Sequence, residues 1–176
     1  MPRGKKIWQR KKQKQEPPLT IHIDTSFIIG LLWGPPDEYE QSRQEIQSLI
    51  RDVNEHPKLI QVVISQVVLG EIVVKMHEER PEEEWGMIIE ELGHLTFNLN
   101  AILKCPDCDA MVLASQLTKN RFDDADALIF AQALSDPESG RMLYFGEKEK
   151  LPTLINLEEE LRNESKRNRQ LHFPGQ

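Results

Sequence analysis

A chain of 176 residues, 39% of them apolar, is long enough for one domain with a buried core. No apolar run approaches the ~20 residues of a membrane-spanning helix, the basic start lacks the apolar stretch of a secretory signal, and two cysteines make no disulfide framework. These features predict a cytoplasmic protein with no membrane partner. The net charge of −7 hides an asymmetry, because residues 1–14 hold seven cations and no acid and leave the rest of the chain at −14.

Arg3, Lys5, Lys6, Arg10, Lys11, Lys12 and Lys14 define a basic arm over residues 1–18, expected to be disordered and closed by Pro17-Pro18. Such a block either contacts nucleic-acid phosphates or merely solubilises the chain, and both roles stand. Trp8 adds one surface on which a base could stack.

Residues 19–24 predict a strand, and the apolar stretch 25–33 a short helix stopped by Gly34-Pro35-Pro36. Ile46, Leu49, Ile50 and Val53 recur at helical spacing, which predicts an amphipathic helix opening at Asp37 and running to 55. The β-branched run 58–64 predicts a second strand. Ser65 is placed to cap a helix over 66–79, ended by Pro81. Pro81 and the acids Glu82, Glu83 and Glu84 suit the first turn of the next helix.

Residues 99–104 predict a weak strand, and Asp107 the cap of a helix through Leu117. Asp123 or Asp124 opens another helix, and Asp136–Gly140 reads as a turn. Met142–Phe145 predicts a strand, Leu154-Ile155 another, and residues 157–168 a polar final helix. Strands alternating with helices predict a three-layer α/β/α sandwich around a central parallel sheet. The expected divisions are the arm, a domain over 19–157 and a C-terminal helix and tail over 158–176.

Four acids stand out. Asp24 ends a predicted strand just before a helix, where open parallel sheets bind ligands. Glu71 lies in a markedly apolar helix segment, and a carboxylate there needs a partner or a ligand. Asp126 heads an apolar helix, where the helix dipole alone is also a sufficient reason for an acid. Glu147 follows the last strong strand. In one cleft such carboxylates would repel one another unless a hard divalent cation lay between them.

The segments IDTSFIIGLL, ISQVVLGEIV and DADALIFAQAL, in that order and spacing, resemble the PIN-domain family of metal-dependent nucleases over about residues 19–157. The resemblance implies a PIN-like sheet with Asp24 on the central strand. It also implies Mg²⁺ or Mn²⁺ held by Asp24, Glu71 and Asp126, with RNA as the substrate. The family's Thr-x-Asp after the fourth strand is Phe145-Gly146-Glu147 here, so the fourth acid is Glu147, or Glu149 if the turn differs by two residues. The Ser26 hydroxyl is expected to orient Asp24. Asp124 is expected to support the third ligand, or to replace Asp126 in another register. The implied reaction is hydrolysis by a metal-activated water. Two alternatives accompany it: a degenerate module that binds RNA or a protein without cutting, and a toxin controlled by an antitoxin or other inhibitor protein.

Cys105-Pro106-Asp107-Cys108 supplies half of a zinc site and would need a second copy or a distant His to complete it, so a homodimer stays among the expected partners. The five histidines show no metal-binding spacing, and His22 is expected in the core.

Overall fold

The computed structural model describes residues 17–35, 39–120, 122–143, 149–164, 166–167 and 169–173. The β-branched runs build the sheet: β1 (Leu19–Ile23), β2 (Ile60–Ser65), β3 (Ile102–Lys104) and β4 (Ser139–Leu143). All pairings are parallel and the order is β3-β2-β1-β4. Seven helices join them among the described residues: α1 (Thr25–Leu32), α2 (Glu40–Glu55), α3 (Gln66–Glu79), α4 (Glu82–Asn98), α5 (Cys108–Lys119), α6 (Asp124–Ser135) and α7 (Leu151–Asn163). From β1 the chain steps outward to β2 and β3, then returns to lay β4 on the other side of β1. Right-handed crossovers running in opposite directions place their helices on opposite faces of the sheet. The result is the expected three-layer α/β/α sandwich.

Ile21, His22 and Ile23 of β1, Val62, Val63 and Ile64 of β2, and Met142 and Leu143 of β4 are all buried, so successive residues on opposite faces are covered. Burial on both faces is what parallel strands between two helical layers require. Among the described residues, Phe27 of α1 and Phe130 of α6 are the largest fully buried side chains, each worth roughly 1.5–3 kcal/mol on transfer from water. Register is regular between β1 and β2, from Leu19 opposite Ile60 to Ile23 opposite Ile64. Against β4 it shifts by one residue between Thr20 and Ile21.

The helix starts follow their caps. Ser65 Oγ accepts from Val67 N at 3.2 Å, Asp107 Oδ1 from Ala110 N at 2.9 Å, and Asp123 Oδ1 from Asp126 N at 2.8 Å. The choice between Asp123 and Asp124 as cap therefore falls to Asp123. At the end of α4, Asn100 takes φ 46° while Ala101 N donates to Thr96 O and Asn100 N to Phe97 O. This is a Schellman turn with asparagine in the left-handed position.

Two expectations about the C-terminal third are corrected. Leu154 and Ile155 are helical, not a strand, and the last helix begins at Leu151 rather than 157. Leu151, Leu154, Ile155 and Leu161 lie on one side of a helix and pack on the core, with Pro152 in its first turn. The polar composition concealed that apolar face. The strand expected at 142–145 starts earlier, at Ser139, within the residues assigned to a turn. Residues 144–148 lie outside the described residues, as do Asp37 and the basic arm 1–16.

The segment after α7 returns to the sheet. Met142 N donates to His172 O, and His172 N to Gly140 O, along β4. Leu171 and Phe173 join the core. Arg167 holds this return in place. Its Nη1 donates to the carbonyls of Ala133, Leu134 and Asp136, and its Nη2 to Ser139 O at 2.5 Å. A buried guanidinium thus satisfies the carbonyls that the end of α6 leaves open. Glu158, also buried, lies 3.7 Å from Arg167 Nε and accepts from Leu171 N at 3.2 Å.

Candidate functional site

Because every strand runs the same way, the carboxyl ends of all four share one edge of the sheet. The strand order reverses between β1 and β4, and in open parallel sheets the ligand crevice lies at such a reversal. Asp24 sits there. Its N–H donates to Leu143 O at 2.8 Å, which ties the end of β1 to the end of β4.

Asp24 is the N-cap of α1 and only 4% exposed. Its Oδ2 accepts from Ser26 N at 3.0 Å and Ser26 Oγ at 2.5 Å. The second oxygen, Oδ1, is buried and has no hydrogen-bond partner among the described residues. Burial pushes the carboxyl up to about 6, the Ser26 and Thr25 hydrogen bonds pull against it, and the charge of Asp126 pushes it further up. A buried carboxylate oxygen without a donor is costly. Ser26 thus fixes one oxygen of Asp24, while the other is open among the described residues.

Glu71 occupies the second turn of α3 and is half-buried. Its Oε2 accepts from Thr25 Oγ1 at 2.5 Å. Burial raises its pKa; the Thr25 hydrogen bond opposes the shift, while Asp126 and Asp123 add to it. Asp126, in the first turn of α6, accepts from Lys150 Nζ at 2.8 Å. Both α1 and α6 pack against α3, and this packing brings the three acids into one electrostatic neighbourhood. Asp126 acts on both Asp24 and Glu71.

The other expected residues fall differently. Asp124 is exposed at the first position of α6. Asp123 caps the helix and adds its charge to those acting on Glu71. Glu147 and the arm residues Lys5, Lys6, Arg10, Lys11, Lys12 and Lys14 lie outside the described residues. Glu149 is described and exposed.

The donor set suits a hard cation by its chemistry, since carboxylate oxygens are what Mg²⁺ and Mn²⁺ prefer. The open Asp24 Oδ1 fits that role. The arrangement is not drawn tight, however. Among the described residues no group of three or more His, Cys, Asp or Glu is set to hold a metal ion. The only cation seated at Asp126 by a described contact is the Lys150 ammonium.

Thr25 and Lys150 are the two residues that the sequence left unassigned. Thr25 gives no local signal, because its partner lies 46 residues away on another helix. Lys150 sits in the charged run EKEK and looks like any solvated turn. Beside Glu71, Val67, Gly70, Val74 and Lys75 border an open, mainly apolar groove of about 360 Å³.

Cys105 and Cys108 are free and exposed, and Cys105 Sγ donates to Gln66 Oε1 at 2.9 Å. Buried His22 lies 3.4 Å from Asp136 Oδ2. Burial lowers the His22 pKa, so at neutral pH a neutral imidazole donates Nε2–H to that carboxylate. Among the described residues no helix is long and apolar enough to cross a membrane. No protein-family model, no curated protein and no solved structure matches the chain.

Proposed function

We propose that this protein is a divalent-metal-dependent ribonuclease with Asp24, Glu71 and Asp126 as its metal-binding acids and Glu147 as the fourth. One observation carries the proposal. At the reversal of strand order, the buried Asp24 Oδ1 has no donor among the described residues, while the Asp126 charge raises the pKa of both Asp24 and Glu71. Such a cluster gains most from a hard cation. The resemblance of the three acidic segments to the PIN-domain family supplies the choice of RNA and of Mg²⁺ or Mn²⁺.

When bound, the cation supplies positive charge to the scissile phosphate and lowers the pKa of an attacking water. The protein's own residues set the geometry. Ser26 holds one oxygen of Asp24, so the other keeps a fixed direction. Thr25 does the same for Glu71. Water oxygen bonds to phosphorus and the bond to the 3′ oxygen breaks, which leaves a 5′-phosphate and a 3′-hydroxyl. No side-chain nucleophile is required. The basic arm adds sequence-independent, salt-sensitive affinity for the RNA backbone.

A second reading has its own support. The Lys150–Asp126 ion pair places a protein cation on the third acid. That arrangement suits a degenerate module that binds RNA or a protein without cutting.

Single-stranded RNAs incubated with Mn²⁺ distinguish the two. The ribonuclease cuts them, loses activity in chelator and loses it in Asp24→Asn. Millimolar Mn²⁺ also raises the melting temperature of wild type but not of Asp24→Asn. Glu147→Gln lowers the rate at least ~10-fold, equivalent to about 1.4 kcal/mol of transition-state stabilisation. Full activity in Glu147→Gln with loss in Glu149→Gln moves the fourth ligand to Glu149. Cleavage no faster than in Asp24→Asn, over several RNAs, favours the non-cutting module.

A further inference from the structure

Lys150 is the N-cap residue of α7, and its carbonyl accepts from Leu154 N at 3.3 Å. Its backbone is therefore set by the helix, while its side chain reaches back to the start of α6. The ammonium lies 2.8 Å from Asp126 Oδ2, with the two side chains only 19% and 25% exposed. It also lies 5.5 Å from the centroid of the Phe122 ring, within the range of a cation–π contact. Among the described residues, two independent contacts thus hold this cation beside Asp126. Partial burial makes this pair stronger than one in open solvent.

Lysine suits such a role better than arginine. Its ammonium is a compact point charge on a flexible stem and makes no planar two-point grip on a carboxylate. It can hold Asp126 and still be displaced by a denser charge.

We propose that Lys150 is a positioning residue that acts as a built-in counter-cation. It holds Asp126 in the cation-free protein and must be displaced before a divalent cation engages that carboxylate. The proposal rests on the metal-dependent reading above and adds a cost to metal loading. If the binding-competent protein is the fraction with Asp126 released, the apparent dissociation constant rises in inverse proportion to that fraction. A pair closed about nine-tenths of the time weakens binding about 10-fold. In return, Asp126 is not left beside Asp24 and Glu71 without a counter-charge.

Calorimetric titration of Mn²⁺ into the full chain tests this, without any measurement of activity. Lys150→Met removes the charge and keeps an apolar stem to pack on Phe122. It is expected to tighten Mn²⁺ binding about 3- to 10-fold, the range set by the fraction of closed pair. Lys150→Gln, a second variant should the first fold poorly, is expected to act in the same direction. Lys150→Arg keeps the charge and should not tighten binding. Placed on Asp126→Asn, Lys150→Met should give no tightening, because the carboxylate it competes for is gone. Wild type that binds Mn²⁺ as tightly as folded Lys150→Met or Lys150→Gln overturns the proposal and leaves the metal site standing. Absence of Mn²⁺ binding in folded wild type and both variants overturns the metal reading and, with it, the proposal.

Discussion

Thr25 Oγ1 donates to Glu71 Oε2 across 2.5 Å and joins the first residue of α1 to the second turn of α3. Thr25 follows Asp24 directly, so one helix start serves two acids: Asp24 through Ser26, and Glu71 through Thr25. Thr25→Val keeps the shape and removes the donor. It should cost about 2 kcal/mol of stability, in the range for a hydrogen bond to a charged group. Thr25→Ser should retain most of it. Urea unfolding in chelator measures both. The loss should nearly vanish when Thr25→Val is combined with Glu71→Met, which removes the acceptor, and equal losses in the two backgrounds would sink the pairing.

The Asp24 carboxyl makes stability depend on pH in the cation-free protein. Its pKa is raised by burial from 3.8 to about 6. A raised carboxyl pKa contributes stability that is fully present below the unfolded value and is lost as pH rises through the folded one. The stability of Asp24→Asn relative to wild type should therefore grow from about pH 4 to pH 7 and then level off, by about 3 kcal/mol at most. Glu71 shifts in the same direction, so the Asp24→Asn variant keeps some slope of its own. Denaturant melts in chelator across this window measure the difference. A difference independent of pH would remove the raised pKa.

Asp136 behaves oppositely. Burial alone would raise its pKa, but the His22 hydrogen bond and the Glu138 N–H outweigh that and hold it at about 2. Its contribution is present above the ordinary carboxylate range and is lost as pH falls through about 2. Asp136→Asn should destabilise the protein at pH 7 by about 2 kcal/mol, and the penalty should shrink toward acid. Comparing the melts of this variant and wild type at pH 7 and pH 3 checks the sign.

Arg167 and Glu158 secure the C-terminal return. Arg167→Met strips donors from the carbonyls of Ala133, Leu134, Asp136 and Ser139, and leaves buried Glu158 without its buried partner, with only the half-exposed Arg162 guanidinium 4.0 Å away. Breaking a buried pair from one side costs about 3–5 kcal/mol. Arg167→Met with Glu158→Leu should recover part of that loss, because no uncompensated charge remains. Equilibrium unfolding of the single and double variants tests this, and a loss under about 1 kcal/mol in Arg167→Met would contradict the clasp.

Removing residues 1–16 tests the arm. If its cations neutralise phosphates, the slope of log affinity against log salt becomes shallower by about 0.7 for each single-strand phosphate left without its cation. Fluorescence anisotropy with labelled RNA gives the slope for both forms. An unchanged slope makes the arm a solubilising tail.

The sequence by itself determined the elements whose signals are local. β-Branched runs marked β1 and β2, caps at Ser65 and Asp107 marked two helix starts, and alternation of strand and helix predicted the parallel sheet. These follow from backbone propensity and side-chain reach of a few residues. Asp24, Glu71 and Asp126 were legible as acids in unusually apolar settings, which is a cost visible in the sequence alone. Tertiary structure decided everything that needed a distant partner. Only packing of α1 and α6 against α3 shows that Thr25 serves Glu71 and that Asp126 acts on Asp24. Lys150 and Arg167 look like surface cations in the sequence, and each acquires its role from acceptors supplied by α6 or its C-terminal turn. The face of α7 was missed for a related reason: a helix with polar composition betrays its buried side only when something packs against it, and Leu154 is wholly buried.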